Sequence, residues 1–131
     1  LQQALEDVSL EEANKTIGKH NSIRQLVFHL HYYAKAFSEV LKGNPLNATD
    51  KEAFKAPEFN SESEWLDYLN GIYVEAKEIA LLIERLPLEK LNQNIPEEKY
   101  GTYFRNLAGI IEHAHYHLGQ IVLLKKLYRS N

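Results

Sequence analysis

The chain has 131 residues, 44% hydrophobic and 25% charged, with fifteen basic and eighteen acidic side chains and a formal net charge of −3. That length predicts one domain over 1–131, and the lack of a basic excess argues against nucleic acid as a partner. There is no cysteine, which excludes disulfides, Cys-based zinc sites and thiol nucleophiles; no apolar run approaches the ~18 residues of a membrane span, nothing reads as a signal peptide, and the expected compartment is the cytoplasm.

Ala4, Leu5 and Val8 make Leu1 to Val8 read as the last two turns of a helix. Ser9-Leu10-Glu11-Glu12 then opens a short turn of its own. The first long helix is predicted from about Asn21 to Lys42, with Ile23, Leu26, Val27, Leu30, Ala34, Phe37 and Leu41 in one stripe. Asn21 or Ser22 caps its start, and Lys42-Gly43-Asn44-Pro45 ends it. The second runs from about Glu62 to Leu86. Ser61 and Glu64 have the capping-box spacing, and Pro87 stops the helix. Trp65, Leu66, Leu69, Ile72, Tyr73, Ala76, Ile79, Ala80, Ile83 and Leu86 are its predicted buried face. The third runs from about Thr102 to Tyr128, with Thr102 as N-cap and a stripe of Leu107, Ile110, Ile111, Ala114, Leu118 and Ile121. Lys125, Lys126 and Arg129 suit the negative end of its dipole. Connectors 43–60 and 87–101 are polar, with Phe54 and Phe59 placed to pack back.

Two turns cannot cover a three-helix core, and the chain contains no Met. The expected fold is therefore all-α, a four-helix bundle whose first helix starts before Leu1.

The six histidines are roughly twice what average composition supplies. His113 and His117 stand four apart, which puts both imidazoles on one face of a helix about 6 Å apart. Helical zinc sites use that spacing. His115 lies about 200° around from His113 and cannot join them. In the first long helix, His29 falls on a largely apolar flank with Leu26 and Tyr33, whereas the His31 flank carries Lys35 and Ser38, so His29 is the better third ligand. Three imidazoles with open positions make a catalytic type of site; zinc is the first choice, and Ni, Fe and Mn suit the same donors. The plain alternative is that these histidines make ordinary hydrogen bonds at helix flanks, and an H-x-x-x-H pair alone does not decide. His31 and His115 read as flank or surface residues, and His20 as part of the helix-entry loop.

"SIRQLVFHLHYYAKAF" (22–37) and "IIEHAHYHLGQIVLLKKL" (110–127) resemble the DinB-like superfamily of damage-inducible and YfiT-like proteins. Its hallmark is a mid-helix His, often followed by Leu, with H-x-x-x-H-x-G-Q-[IL] in the last helix. His29-Leu30 matches the first part; His113, His117, Gly119, Gln120 and Ile121 match the second. The resemblance implies a four-helix bundle and a divalent metal on His29, His113 and His117. It also implies either a metal-dependent hydrolase or a transferase of a low-molecular-weight thiol such as bacillithiol, mycothiol or glutathione.

Such a metal lowers the pKa of a bound water or thiol, giving hydrolysis or conjugation of a small electrophilic substrate. Gln120 and Tyr33, each one turn from a candidate ligand, are placed to orient a ligand or water, or simply to pack. Glu112 points about 100° away from His113 and is not assigned as a base. The competing expectation is a non-catalytic bundle that binds metal or dimerises; a homodimer through bundle helices is compatible with both readings.

Overall fold

The computed structural model describes residues 1–130. The described residues form helices and loops with no strand, apart from one isolated antiparallel bridge between Asn94 and Thr102. Two short helices, α1 (Gln2–Leu5) and α2 (Leu10–Asn14), precede three long ones, α3 (Ile23–Leu41), α4 (Glu62–Glu84) and α5 (Tyr103–Arg129). Short 3-10 turns at Leu88–Asn92 and Glu98–Tyr100 lie in the second connector.

Each long helix starts where a side chain can satisfy its free N–H groups. At α3 the choice falls on Ser22: its Oγ accepts from the Gln25 amide at 3.3 Å, and Gln25 Oε1 accepts from the Ser22 amide at 2.9 Å. At α4, Ser61 Oγ accepts from the Glu64 amide at 3.2 Å, but the Glu64 carboxylate takes the Asn60 amide at 2.7 Å instead of that of Ser61. The reciprocal arm of that box is thus shifted one residue upstream. Thr102 caps α5 through Arg105. Gly43 stops α3 at φ 90°, a conformation that costs a glycine little.

Because Ser22 is buried and both arms of its box are made, Ser22→Ala is expected to destabilise the protein by about 1 kcal/mol, read from urea unfolding. Asn21→Ala, at an exposed neighbour without that role, should change little.

The N-terminal helix is shorter than its apolar spacing suggests. It ends at Leu5 because Ser9 turns extended (φ −69°, ψ 161°) to cap α2, its Oγ accepting from the Glu12 amide. A helix cannot run on through that backbone.

α3 packs against both α4 and α5. One apolar cluster gathers Leu5, Val8, Ala13, Ile23, Leu26, Val27, Leu30, Trp65, Leu69, Ile72, Ile121 and Leu124. A second holds Phe37, Val40, Ile95 and Tyr103. Along α3 the first cluster comes first; along α5 the second does. The two helices therefore run antiparallel, and His29, His113 and His117 lie where the clusters meet.

Parts of the predicted stripes face outward. Leu66, Ala76, Ala80, Ile83 and Ile111 are exposed. Neighbours fill only part of the circumference of α4 and α5, so a residue one step off the packed line is left in solvent.

The basic end of α5 does more than complement a dipole. Arg129 donates to Asp7 and to both carboxylate oxygens of Glu12, and Lys125 donates to Asp7 and to the Ala4 carbonyl. These bonds bind the first fifteen residues to the last helix. The two cations hold the Asp7 carboxyl down at about 2.

No helix among the described residues is long and apolar enough to cross a membrane.

Candidate metal centre

His113 and His117 lie on one face of α5 and His29 meets them from α3. His113 Nε2 is 2.9 Å from His29 Nε2 and 3.0 Å from His117 Nε2. Among the described residues this is the one group of three or more His and carboxylate side chains with atoms close enough to share an ion. His29 and His117 are buried and His113 is half-buried.

Hydrogen bonds on the far side of two rings decide which nitrogen carries the proton. His29 Nδ1 faces the carbonyl of Ala53 at 3.3 Å. A carbonyl only accepts, so Nδ1 carries the hydrogen and Nε2 of the neutral ring keeps its lone pair. His117 Nδ1 donates to Gln120 Oε1 at 2.6 Å, with the same consequence. Two lone pairs therefore converge on His113 Nε2, which can donate to at most one of them. At least one acceptor–acceptor contact remains at about 3 Å, and a cation at the focus converts that repulsion into binding. Two imidazole nitrogens bound to one ion at about 2.1 Å stand roughly 3.0–3.4 Å apart for bond angles of 90–110°. The two spacings to His113, 2.9 and 3.0 Å, lie just at or below the short end of that range, and all three ligand atoms lie within 4.8 Å of one another, so the donor set fits a divalent metal.

Two of the rings, His29 and His113, are held ready for an ion at neutral pH. Burial, then the neighbouring His117 and His113, lower the His29 imidazole to about 4. Burial and His117 lower His113 as well. A metal thus displaces no proton from either ring at pH 7.

The same shift sets a pH dependence for the metal-free protein. Above pH 6.5 His29 is neutral folded and unfolded, and contributes nothing. As pH falls from 6.5 towards 4, the unfolded chain takes up a proton that the folded chain refuses, so stability declines. Between pH 7.5 and 5 the expected loss from His29 is about 2 kcal/mol, measured as urea midpoints in the presence of a chelator. His29→Gln should flatten that part of the profile; an unchanged slope would refute the assignment.

The first connector covers one side of the site. Phe54 stacks on the His29 ring at 4.0 Å between centroids, and Ala53 beside it is fully buried. Tyr33, one turn after His29, presents its ring to His29 at 5.1 Å and to His113 at 5.5 Å. Its hydroxyl donates to Asp50. Burial and that carboxylate raise the hydroxyl to about 12, so it stays protonated at neutral pH.

All the sequence-predicted ligands come together, and the other histidines stay apart. His31 pairs with Glu75 of α4 at 2.8 Å, while His115 and His20 are exposed. Gln120, read as orienting a ligand or water, bonds His117 itself. Ala53 and Asp50 went unread, because a carbonyl and a carboxylate in an aperiodic loop leave no pattern in the sequence.

A family model of the DinB superfamily matches residues 1–121, and the chain belongs to that superfamily. No curated protein and no solved structure matches it.

Proposed function

We propose that this member of the DinB superfamily is a metalloenzyme whose His29, His113 and His117 hold a divalent cation. Zinc is the first choice, and Ni, Fe and Mn accept the same donors. The reaction is hydrolysis of a small electrophilic substrate or transfer of a low-molecular-weight thiol to one. The scaffold in this reading is a single four-helix-bundle domain of the superfamily's type. What carries the proposal is the convergence of three imidazole Nε2 atoms, two of them fixed as lone-pair donors by bonds to Ala53 and Gln120.

A bound divalent ion supplies Lewis acidity that makes a water or thiol a good nucleophile near neutral pH. The chain's own residues do the rest. The Ala53 carbonyl and Gln120 fix the tautomers and ring orientations, as outer partners do in metal sites. Phe54 shields one face of His29 from water. Tyr33, kept protonated, holds Asp50 near the site. With no cysteine in the chain, a sulfur nucleophile must arrive as a small molecule.

The exposed Tyr116, Leu123 and Leu127, which share one face of α5, favour a homodimer as the working form, to be read from light scattering.

The direct test loads the protein with each candidate metal, removes the excess and counts ions per chain. One equivalent supports the proposal and none overturns it. Turnover of an electrophile by the loaded protein, with and without bacillithiol, mycothiol or glutathione, then separates transfer from hydrolysis. A loaded protein that does neither would favour a non-catalytic metal-binding bundle.

A further inference from the structure

A cleft of about 520 Å³ opens beside the triad, with His29, Tyr33 and His113 in its lining. That volume lies in the range of small-molecule sites. Two features of its wall suit a ligand. Lys99 and Arg105 both line it, and neither pairs with a carboxylate among the described residues, so two positive charges face one cleft without a counter-ion. The cleft's single carboxylate, Asp50, is engaged by the Tyr33 hydroxyl. Gly109, one turn before His113, also lines the cleft, and a Cβ there would meet nothing within 4 Å. No packing demands a glycine, which weakens a helix interior; its effect is to keep the wall low next to the metal ligands.

Arg105 is also given its place. Gly101 has φ 80°, and a Cβ on it would stand 3.1 Å from Arg105 Cδ. The bare backbone there lets the Arg105 stem lie across the start of α5. Lys99 rests over the Tyr100 ring at 4.8 Å.

We propose that Arg105 and Lys99 hold the anionic group, a carboxylate or phosphate, of a small molecule that reaches the triad through this cleft. The inference deepens the proposed function and rests on it for the reactive end of that molecule. A guanidinium offers two parallel donors matched to an oxyanion, and an ammonium adds a mobile charge. The anion sits on these cations while the body of the molecule passes over Gly109. Neutral compounds of the same shape lack that anchor.

The test titrates the full chain, metal-free and metal-loaded, with succinate, inorganic phosphate and neutral succinamide, followed by calorimetry and by amide shifts in NMR. Succinate or phosphate is expected to bind both forms, succinamide neither, and the stronger anion identifies the group. Arg105→Gln with Lys99→Gln should weaken binding about tenfold or more while metal per chain stays unchanged. Gly109→Leu should block the cleft with the same metal content. Anion binding that ignores the double substitution, with or without metal, or no anion binding to either form, overturns the proposal. A chain that takes up no metal yet binds succinate through Arg105 and Lys99 would sink the metalloenzyme reading and leave this one standing.

Discussion

Alanine at His113 is expected to abolish stoichiometric metal binding. His113 Nε2 is the one ring atom within about 3 Å of both other ligands, so its loss leaves two imidazoles from different helices with nothing between them. Removing a partner that merely orients a ligand costs 10–100-fold in metal affinity. Gln120→Ala, which frees the His117 ring, should fall within that range, and His113→Ala should exceed its upper end, more than about 100-fold. The fold should survive. His113 is only half-buried, and in the metal-free protein its removal relieves a contact between lone pairs. Metal per chain after dialysis reads the first effect, and urea unfolding in chelator reads the second. His113→Ala that keeps one tightly held equivalent would remove the foundation of the proposed activity. A variant that loses metal and also unfolds would instead point to a structural role for these rings.

The triad could be read from sequence because helical period fixes angles. Spacing four puts His113 and His117 on one face, and the apolar flank of the first long helix singles out His29 over His31. Those are statements about one helix at a time. That the two faces meet is implied by the resemblance to a known family and not by periodicity; the antiparallel packing of α3 and α5 is what brings them together. The rest of the site comes from the connectors. Ala53, Phe54 and Asp50 reach the triad through loop geometry, and loop geometry is set by tertiary contacts, not by any repeating pattern. The same reasoning explains the misplaced apolar residues. A stripe predicts which side of α4 is more apolar, but the width of the buried band depends on how many neighbours cover it, and Leu66 and Ile83 fall outside that band. Lys125 and Arg129 show a third limit. Their positions suggested an interaction with the helix end, whereas carboxylates more than a hundred residues away claim them.

Trp65→Ala should produce the largest loss of stability of any single substitution in the core. Trp65 is the largest fully buried side chain. It joins three parts of the chain: its own helix α4, the α3 residues of the first apolar cluster, and the N-terminal segment, where its Nε1 donates to the Val8 carbonyl at 2.9 Å. Truncation removes the ring's contacts and opens a cavity, at about 3–5 kcal/mol. The unpaired Val8 carbonyl adds to this. A domain of this kind is stable by only about 5–15 kcal/mol in all, so the variant is expected to unfold at much lower urea or not to accumulate folded. Trp65→Phe separates the two contributions. It keeps most of the apolar volume but offers no donor to Val8, so it should cost about 1–3 kcal/mol from the orphaned carbonyl along with a smaller packing loss. Circular dichroism must follow both unfolding curves, because the chain has no second tryptophan. The triad lies towards the junction of the two apolar clusters, away from this ring, so the phenylalanine variant should still bind one metal per chain. A Trp65→Phe stability within about 0.5 kcal/mol of the parent would mean that the indole bond contributes nothing net, and that the ion pairs of Asp7 and Glu12 with α5 are enough to hold the first fifteen residues in place.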